Sequence, residues 1–176
     1  PIEHPLSLGM GGMHGSYASN MALMECDFMI NFGCRFADRL TGNPDTFAAD
    51  AVVAHVDIDP AEIGKVVKTK IPIVGDAKAA LQILLEAEPV KTRHEDWTDS
   101  VLANKAKAPF SYKFDENIIK PQHAIATIGK ITKGDAIVVT DVGQHQMWAA
   151  QFYPYKNARQ LITSGGLGTM GFGIPA

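Results

Sequence analysis

The sequence has few of the features that mark whole classes of proteins. It holds two cysteines in 176 residues, Cys26 and Cys34, which are too few for a disulfide framework or a zinc site and are expected to be reduced and buried. No apolar run approaches the roughly 18 residues of a spanning helix, and the N-terminus lacks the basic and apolar regions of a signal peptide. The net charge is −3 without a long run of one sign, which argues against nucleic acid or membrane partners.

What the sequence does contain is the composition of a globular protein, with 46% hydrophobic and 20% charged residues. Short apolar runs alternate with helical patterns, which predicts an α/β fold with a parallel sheet covered on both faces. In the first half the predicted strands are 27–32, 52–59 and 71–74, and the predicted helices are 16–26, one that begins at Asp59-Pro60, and 77–87. Ser16 and Asp76 are expected to cap the first and the last of these helices.

A change of character marks residues 88–120, which are richer in Lys, Pro, Asp and Glu and lack a clear period. We interpret them as a partly helical surface linker. A second α/β unit follows, with the predicted elements helix 121–131, strand 136–140, helix 145–152, strand 160–163, a tight turn over 164–168 and a helix from Thr169.

Two glycine-rich loops precede predicted helices. Gly9–Gly15 is either a flexible loop or a ligand loop whose amides face an anion or a flat ring, and His14 within it favours a ligand contact. Gly166–Gly171 matches the dinucleotide pattern G-x-G-x-x-G, which would indicate a nicotinamide site. The alternative is a turn that allows close packing, which explains the glycines but not Met170 among them.

Polar residues follow several predicted strands, where ligands bind in open α/β sheets. Arg35 and Arg39 can neutralise phosphates, although Arg39 can also form a surface pair with its neighbour Asp38. Asp57 can accept hydrogen bonds from a ribose. In the second unit Gln144 and its neighbour His145 can donate to phosphate oxygens, or they are ordinary first residues of a helix. The residues support no catalytic carboxylate pair, Ser-His-Asp set or Cys-His set.

Several long motifs of the sequence resemble those of one enzyme family. Residues 8–15, 33–39, 55–59 with 62–65, 142–153 and 164–175 are similar to the catalytic subunits of acetolactate synthase (acetohydroxyacid synthase). The resemblance covers nearly the whole chain in order. It implies the second half of a Rossmann-like FAD-binding central domain in residues 1–88, a linker in 89–120 and the start of a thiamin-diphosphate-binding α/β domain in 121–176.

The resemblance also implies an activity. Members of this family join two 2-oxo acids, pyruvate with pyruvate or 2-oxobutyrate, with loss of carbon dioxide, in branched-chain amino acid biosynthesis. Thiamin diphosphate is the electron sink, magnesium holds it, and FAD is bound without a net redox role. A homodimer or homotetramer, with a possible regulatory subunit, is expected in the cytoplasm, or in a plastid or mitochondrion of a eukaryote.

Site residues follow from the matched motifs. The resemblance implies FAD contacts for Met13, His14, Gly15, Gly33, Arg35, Arg39, Leu40, Asp57, Ile58, Asp76 and Ala77. It implies that Val142, Gly143, Gln144 and His145 line the diphosphate end of thiamin diphosphate, and that Gly168 and Met170 lie against its aminopyrimidine. Met170 matches the bulky apolar residue that holds the cofactor bent, so that proton removal from the cofactor becomes intramolecular.

The sequence departs from the family at Ala37, where many members have Asp, and at Cys34, where Ala or Val is usual. The metal-binding motif and the activating glutamate of the family are expected outside these residues, so we interpret the chain as an internal fragment that is inactive by itself. The alternatives are a sibling enzyme, such as a pyruvate oxidase or glyoxylate carboligase, a non-catalytic FAD-binding module, and a nicotinamide dehydrogenase that rests only on Gly166–Gly171.

Overall fold

The computed structural model describes residues 4–88 and 94–176. The chain divides into two compact units, Gly11–Lys107 (the first unit) and Ala108–Ala176 with the residues up to Met10 (the second unit). The division falls inside the predicted linker 89–120, of which residues 89–93 lie outside the described part. The domain boundaries at 88 and 121 stay a prediction.

A three-stranded parallel sheet organises the first unit. The strands are β1 (Phe28–Phe32), β2 (Val52–Asp57) and β3 (Ile71–Val74), in the order β1-β2-β3. The helices are α1 (Tyr17–Glu25), the short α2 (Asp38–Thr41), α3 (Ala77–Glu86) and α4 (Glu95–Lys107). The prediction of an α/β fold with parallel strands is therefore confirmed. Helix α4 packs against α1, so this part of the predicted linker belongs to the first unit.

Capping side chains start two of these helices as the sequence predicts. The Ser16 hydroxyl accepts a hydrogen bond from the N–H of Ser19 at 3.0 Å and begins α1. The Asp76 carboxylate accepts from the N–H of Ala79 at 2.9 Å and begins α3. Each bond satisfies a backbone donor that the first turn of a helix leaves unpaired, which is why the start positions can be predicted locally.

The core of the first unit lies on one face of its sheet. Its buried members are Phe36, Phe47, Ala48, Val53 and Val67, with Leu23, Met29, Leu40 and Ala51 packed against them. On the other face the alternating side chains of Phe28, Ile30, Val52, Ile71 and Ile73 are 40–49% exposed. On this second face Ala54 and Val56 of β2 are buried and α3 contacts β2, so the predicted cover of both faces is only partial among the described residues.

The prediction of a helix that starts at Asp59-Pro60 is wrong. Asp59 does accept a hydrogen bond on its carboxylate from the N–H of Ala61 at 2.9 Å, but only turns follow. The bonds Glu62 N–H to Asp59 C=O and Lys65 N–H to Glu62 C=O span three residues rather than four. Gly64 has φ +73°, a left-handed conformation that stops a right-handed helix after about one turn.

The second unit contains α5 (Pro121–Ile131), β4 (Val138–Val139), α6 (Gln144–Phe152) and β5 (Leu161–Ile162), and its two strands pair in parallel. Both strands are shorter than predicted. A helix from Thr169 does not form: turns replace it, and the N–H of Gly171 donates to the Asp141 carboxylate instead of to a helical carbonyl. The turn over 164–168 is confirmed by a bond from the N–H of Gly168 to the C=O of Ser164.

Two buried polar side chains hold the second unit together. The Tyr153 hydroxyl lies 2.8 Å from the hydroxyl of Thr132, beyond the end of α5. Gln160, which is 6% exposed, accepts from the N–H groups of residues 156 and 157 and donates to the C=O of Gly134 at 3.0 Å. Because buried polar atoms are costly without partners, these satisfied bonds fix the strand β5 beside the end of α5.

Candidate cofactor-binding sites

An open cavity lies at the carboxyl ends of the three strands of the first unit. Its volume is about 470 Å³, in the range of small-molecule sites. Among its lining residues are six of the predicted FAD contacts: Gly33, Arg35, Asp57, Ile58, Asp76 and Ala77. The remaining lining residues are Val56, Asp59, Glu62 and Gly75. The edge of the sheet thus collects residues that are separate in the sequence, as expected for a parallel α/β sheet.

Five other predicted FAD contacts do not line this cavity. Met13, His14 and Gly15 lie in the loop that precedes α1, and Arg39 and Leu40 lie in α2. The two groups meet through a hydrogen bond from the N–H of Met13 to the C=O of Arg39 at 2.8 Å. The Arg39 guanidinium donates to exposed Asp38 at 2.8 Å, the surface pair that the sequence also allows. The FAD roles of both groups stay predictions.

Glu62 is a residue of the cavity that sequence reasoning missed. Its carboxylate accepts from the Arg35 guanidinium at 3.2 Å and from the Lys65 ammonium at 2.9 Å, and its side chain is 11% exposed. The hydrogen bonds from Arg35 and then Lys65 hold the pKa of Glu62 below its usual range. The pairing of Glu62 with Arg35 could not be predicted locally, because the two residues are 27 positions apart. The pairing with Lys65 could be, because the two are three positions apart.

The charges that line the cavity are mostly negative. Four carboxylates face one arginine there: Asp57, Asp59, Glu62 and Asp76. Carboxylates accept hydrogen bonds, so this surface suits the hydroxyl groups of a ligand. Arg35 and the N-terminus of α3 are the parts that suit an anionic group. The arrangement therefore fits a ligand that carries both hydroxyls and a phosphate.

In the second unit the residues after β4 form the start of α6. Gly143 precedes the helix with φ +149°, and a Cβ there would lie 3.2 Å from the His145 ring, so a side chain would be strained and crowded. No side chain caps α6. The N–H of Gln146 donates to the C=O of Gly143 at 3.1 Å, so the N–H groups of Gln144 and His145 are the ones left to water or to an anion, the arrangement by which helix N-termini bind phosphates.

Hydroxyl and amide side chains connect the ends of β4 and β5. The hydroxyls of Thr140 and Thr163 lie 2.7 Å apart, and the Gln146 amide donates to the same Thr163 hydroxyl at 2.7 Å. Beyond β5, the hydroxyl of Ser164 accepts from the N–H of Thr169 at 3.0 Å, and Met170 is 74% exposed. The structure thus brings the helix start 142–145 and the glycine-rich segment 164–173 to neighbouring strand ends.

The described residues contain neither a metal-binding cluster nor a membrane-spanning helix. Within residues 4–88 and 94–176, no group of three His, Cys, Asp or Glu side chains is arranged to hold a metal ion. Over the same described ranges, no helix has the length and apolar character needed to cross a membrane.

Both parts of the chain match known domain families. Residues 1–84 match the family described as "Thiamine pyrophosphate enzyme, central domain", and residues 141–176 match "Thiamine pyrophosphate enzyme, C-terminal TPP binding domain". The chain belongs to the thiamine pyrophosphate enzymes. Gly166–Gly171 lie within the residues that match the TPP binding domain. This match favours a thiamin diphosphate interpretation of the segment over a nicotinamide one.

Curated acetolactate synthases match the chain over its whole length. It is 64% identical over 176 residues to the acetolactate synthase large subunit of Lactococcus lactis subsp. lactis, of which it covers 31%. It is 48% identical to acetolactate synthase 2, chloroplastic, of Zea mays, with 28% covered, and 45% identical to acetolactate synthase isozyme 3 large subunit of Escherichia coli, with 32% covered. The chain thus spans about a third of the length of these relatives.

Proposed function

We propose that this chain is a segment of an acetolactate synthase catalytic subunit. The observation that carries the proposal is the 64% identity with an acetolactate synthase large subunit over all 176 residues, together with matches to two domains of thiamine pyrophosphate enzymes in the same chain. The proposed reaction is the decarboxylating condensation of two 2-oxo acids, pyruvate with pyruvate or with 2-oxobutyrate, in the biosynthesis of branched-chain amino acids.

Thiamin diphosphate, when bound, supplies the electron sink for decarboxylation. The residues of the second unit fit its binding. The uncapped N-terminus of α6 presents N–H groups to a diphosphate, and Gly143 keeps the approach free of a side chain. Gln144 and His145 add side-chain donors. Exposed Met170 offers an apolar surface for the aminopyrimidine ring, and Gly168 lets that ring approach the backbone.

FAD is the proposed ligand of the first unit. The cavity at the ends of β1, β2 and β3 offers Asp57 to ribose hydroxyls, while Arg35 and the start of α3 face a phosphate. Met13, His14, Gly15, Arg39 and Leu40 are proposed as further contacts. For magnesium, which the resemblance also implies, the described residues supply no ligand cluster, and we assign it no residue of this chain.

The proposed partners follow from the same relatives. Those named large subunits suggest assembly with a smaller, regulatory subunit, and we propose a homodimer or homotetramer of the complete catalytic subunit. A cytoplasmic location is proposed for a bacterial source and a plastid or mitochondrial one for a eukaryote, since the plant relatives are named chloroplastic.

The proposal is tested in a chimaera in which these 176 residues replace the aligned 176 residues of the Lactococcus lactis large subunit. A host that lacks acetolactate synthase is expected to grow without valine, leucine and isoleucine when it carries the chimaera. The unmodified Lactococcus lactis subunit is the positive control. If the chimaera is folded and soluble but does not support growth, the proposed function is rejected.

A further inference from the structure

Asp141 connects two segments that are 30 residues apart in the sequence. It follows β4, and its carboxylate Oδ1 accepts hydrogen bonds from the N–H of Val142 at 2.6 Å and from the N–H of Gly171 at 3.0 Å. One of these donors belongs to the next residue, two positions before α6, and the other lies in the glycine-rich segment 164–173. A single carboxylate oxygen thus joins the two parts of the second site.

Close packing of backbone supports the same connection. A Cβ on Gly173 would lie 2.8 Å from the backbone nitrogen of Asp141 and 3.1 Å from the carbonyl carbon of Thr140. Real Cβ atoms essentially never approach this closely, so Gly173 lets the glycine-rich segment lie directly on the end of β4. The contact at Gly173 and the hydrogen bond at Gly171 fix the same stretch of chain at two points.

The charge state of Asp141 fits this role. The hydrogen bond from the N–H of Val142 lowers the pKa of the Asp141 carboxyl most. Burial raises this pKa, but the N–H groups of Gly171 and Gly173 and the nearby His145 lower it further. The carboxylate is therefore ionised at neutral pH, and hydrogen bonds to an ionised acceptor are shorter and stronger than neutral ones.

We propose that Asp141 is a positioning residue that holds the segment 164–173 against the end of β4 and so sets the distance between the two halves of the thiamin diphosphate site. The inference rests on the proposed function. Residues 142–145 would hold the diphosphate of the cofactor, while Gly168 and Met170 would lie against its aminopyrimidine. Because turns rather than a helix carry residues 165–175, the bonds of Asp141 take the place of regular structure in fixing that separation.

Asp141→Ala removes the acceptor, and Asp141→Asn keeps an oxygen at Oδ1 but removes the charge. Asp135→Ala is the matched control, because Asp135 is an exposed carboxylate of the same unit. In the chimaera, the thiamin diphosphate concentration for half-maximal activity is expected to rise about tenfold in Asp141→Ala and about threefold in Asp141→Asn, the loss expected for charge-assisted hydrogen bonds. The kcat at saturating cofactor is expected to stay within about threefold, and Asp135→Ala is expected to change neither value.

A second measurement does not depend on activity. Amide hydrogen exchange of the cofactor-free chimaera is expected to accelerate at Gly171 and Gly173 in Asp141→Ala, with no change at Gly168, whose N–H donates to the C=O of Ser164. Unchanged exchange at Gly171 and Gly173 would overturn the inference. So would faster exchange with an unchanged cofactor requirement, or an equal effect of Asp135→Ala. A chimaera with no carboligase activity would instead reject the proposed function, and thermal-shift titration with thiamin diphosphate would then judge the role of Asp141.

Discussion

His55 and Asp57 face each other behind the cavity of the first unit, with 3.8 Å between the imidazole Nε2 and the carboxylate Oδ2. His55 is fully buried, and neither of its ring nitrogens has a hydrogen-bond partner within the described structure. The other oxygen of Asp57 accepts from the N–H of Asp59 at 2.9 Å. The carboxylate proposed to bind a ribose is therefore held between the core and the loop that follows β2.

This relationship predicts opposite effects of His55→Leu on stability and on binding. Leucine removes two unpaired buried nitrogens, whose burial costs about 1–3 kcal/mol, so the free energy of unfolding in urea is expected to stay equal or to rise. The FAD affinity, measured by flavin fluorescence, is expected to fall several-fold because Asp57 loses its neighbour. His55→Gln, which keeps a polar side chain beside Asp57, is expected to retain the affinity. A loss of stability without loss of FAD affinity would count against this role.

Arg35→Ala is expected to weaken FAD binding about tenfold, the order of magnitude of one charge-assisted contact to a phosphate. Arg35 is the arginine that lines the cavity, and Glu62 holds its guanidinium there. Lys68→Ala is the control, because Lys68 is an exposed cation of the same unit. Titration of both variants with FAD at low and moderate salt distinguishes a specific contact from a general effect of charge, and equal losses would argue for the latter.

The pairing of Glu62 with Arg35 and Lys65 predicts a pH dependence of stability. The folded pKa of Glu62 is lowered from its unfolded value of about 4.3, so its stabilising effect is present above that pH and is lost as the pH falls through the folded pKa. The stability difference between the wild-type chain and Glu62→Gln is therefore expected to be largest near pH 7 and to shrink below about pH 4. Chemical denaturation at several pH values measures it. A difference that stays constant from pH 7 to pH 3 would contradict the assignment.

The isolated 176 residues are expected to form no acetolactate from pyruvate, even with thiamin diphosphate, FAD and magnesium. The reason is the resemblance, which places the metal-binding motif and the activating glutamate outside these residues. Product analysis by colorimetric assay checks this, with the Lactococcus lactis large subunit as the positive control. Sustained acetolactate formation by the isolated chain would show that this assignment of the missing groups is wrong.

Features set by neighbouring residues could be predicted from the sequence. The caps at Ser16 and Asp76 and the helix that starts at Pro121 depend on side chains within one turn, and all three are present. The helix expected at Asp59 does not form. The capping hydrogen bond from the N–H of Ala61 to the Asp59 carboxylate is present, but Gly64 adopts a left-handed conformation. Local patterns thus predict where a helix can begin more reliably than whether it continues.

The contacts that organise the two candidate sites could not be predicted in this way. Glu62 reaches Arg35 over 27 residues, and Asp141 reaches Gly171 over 30. Both acidic residues resemble ordinary surface or strand-end residues until the parallel strands bring their partners together. The proposed cofactor contacts rest on the resemblance of motifs, while the geometry adds which side chains hold those residues in place.

Acetolactate formation by the purified chimaera tests the central claim most directly. With pyruvate, thiamin diphosphate, FAD and magnesium, the chimaera is expected to form acetolactate within about tenfold of the rate of the Lactococcus lactis subunit, since the two segments are 64% identical. Gly143→Val in the same chimaera is expected to raise the thiamin diphosphate requirement strongly, because a side chain there is strained and crowds His145. A folded chimaera that binds both cofactors but forms no acetolactate would contradict the account.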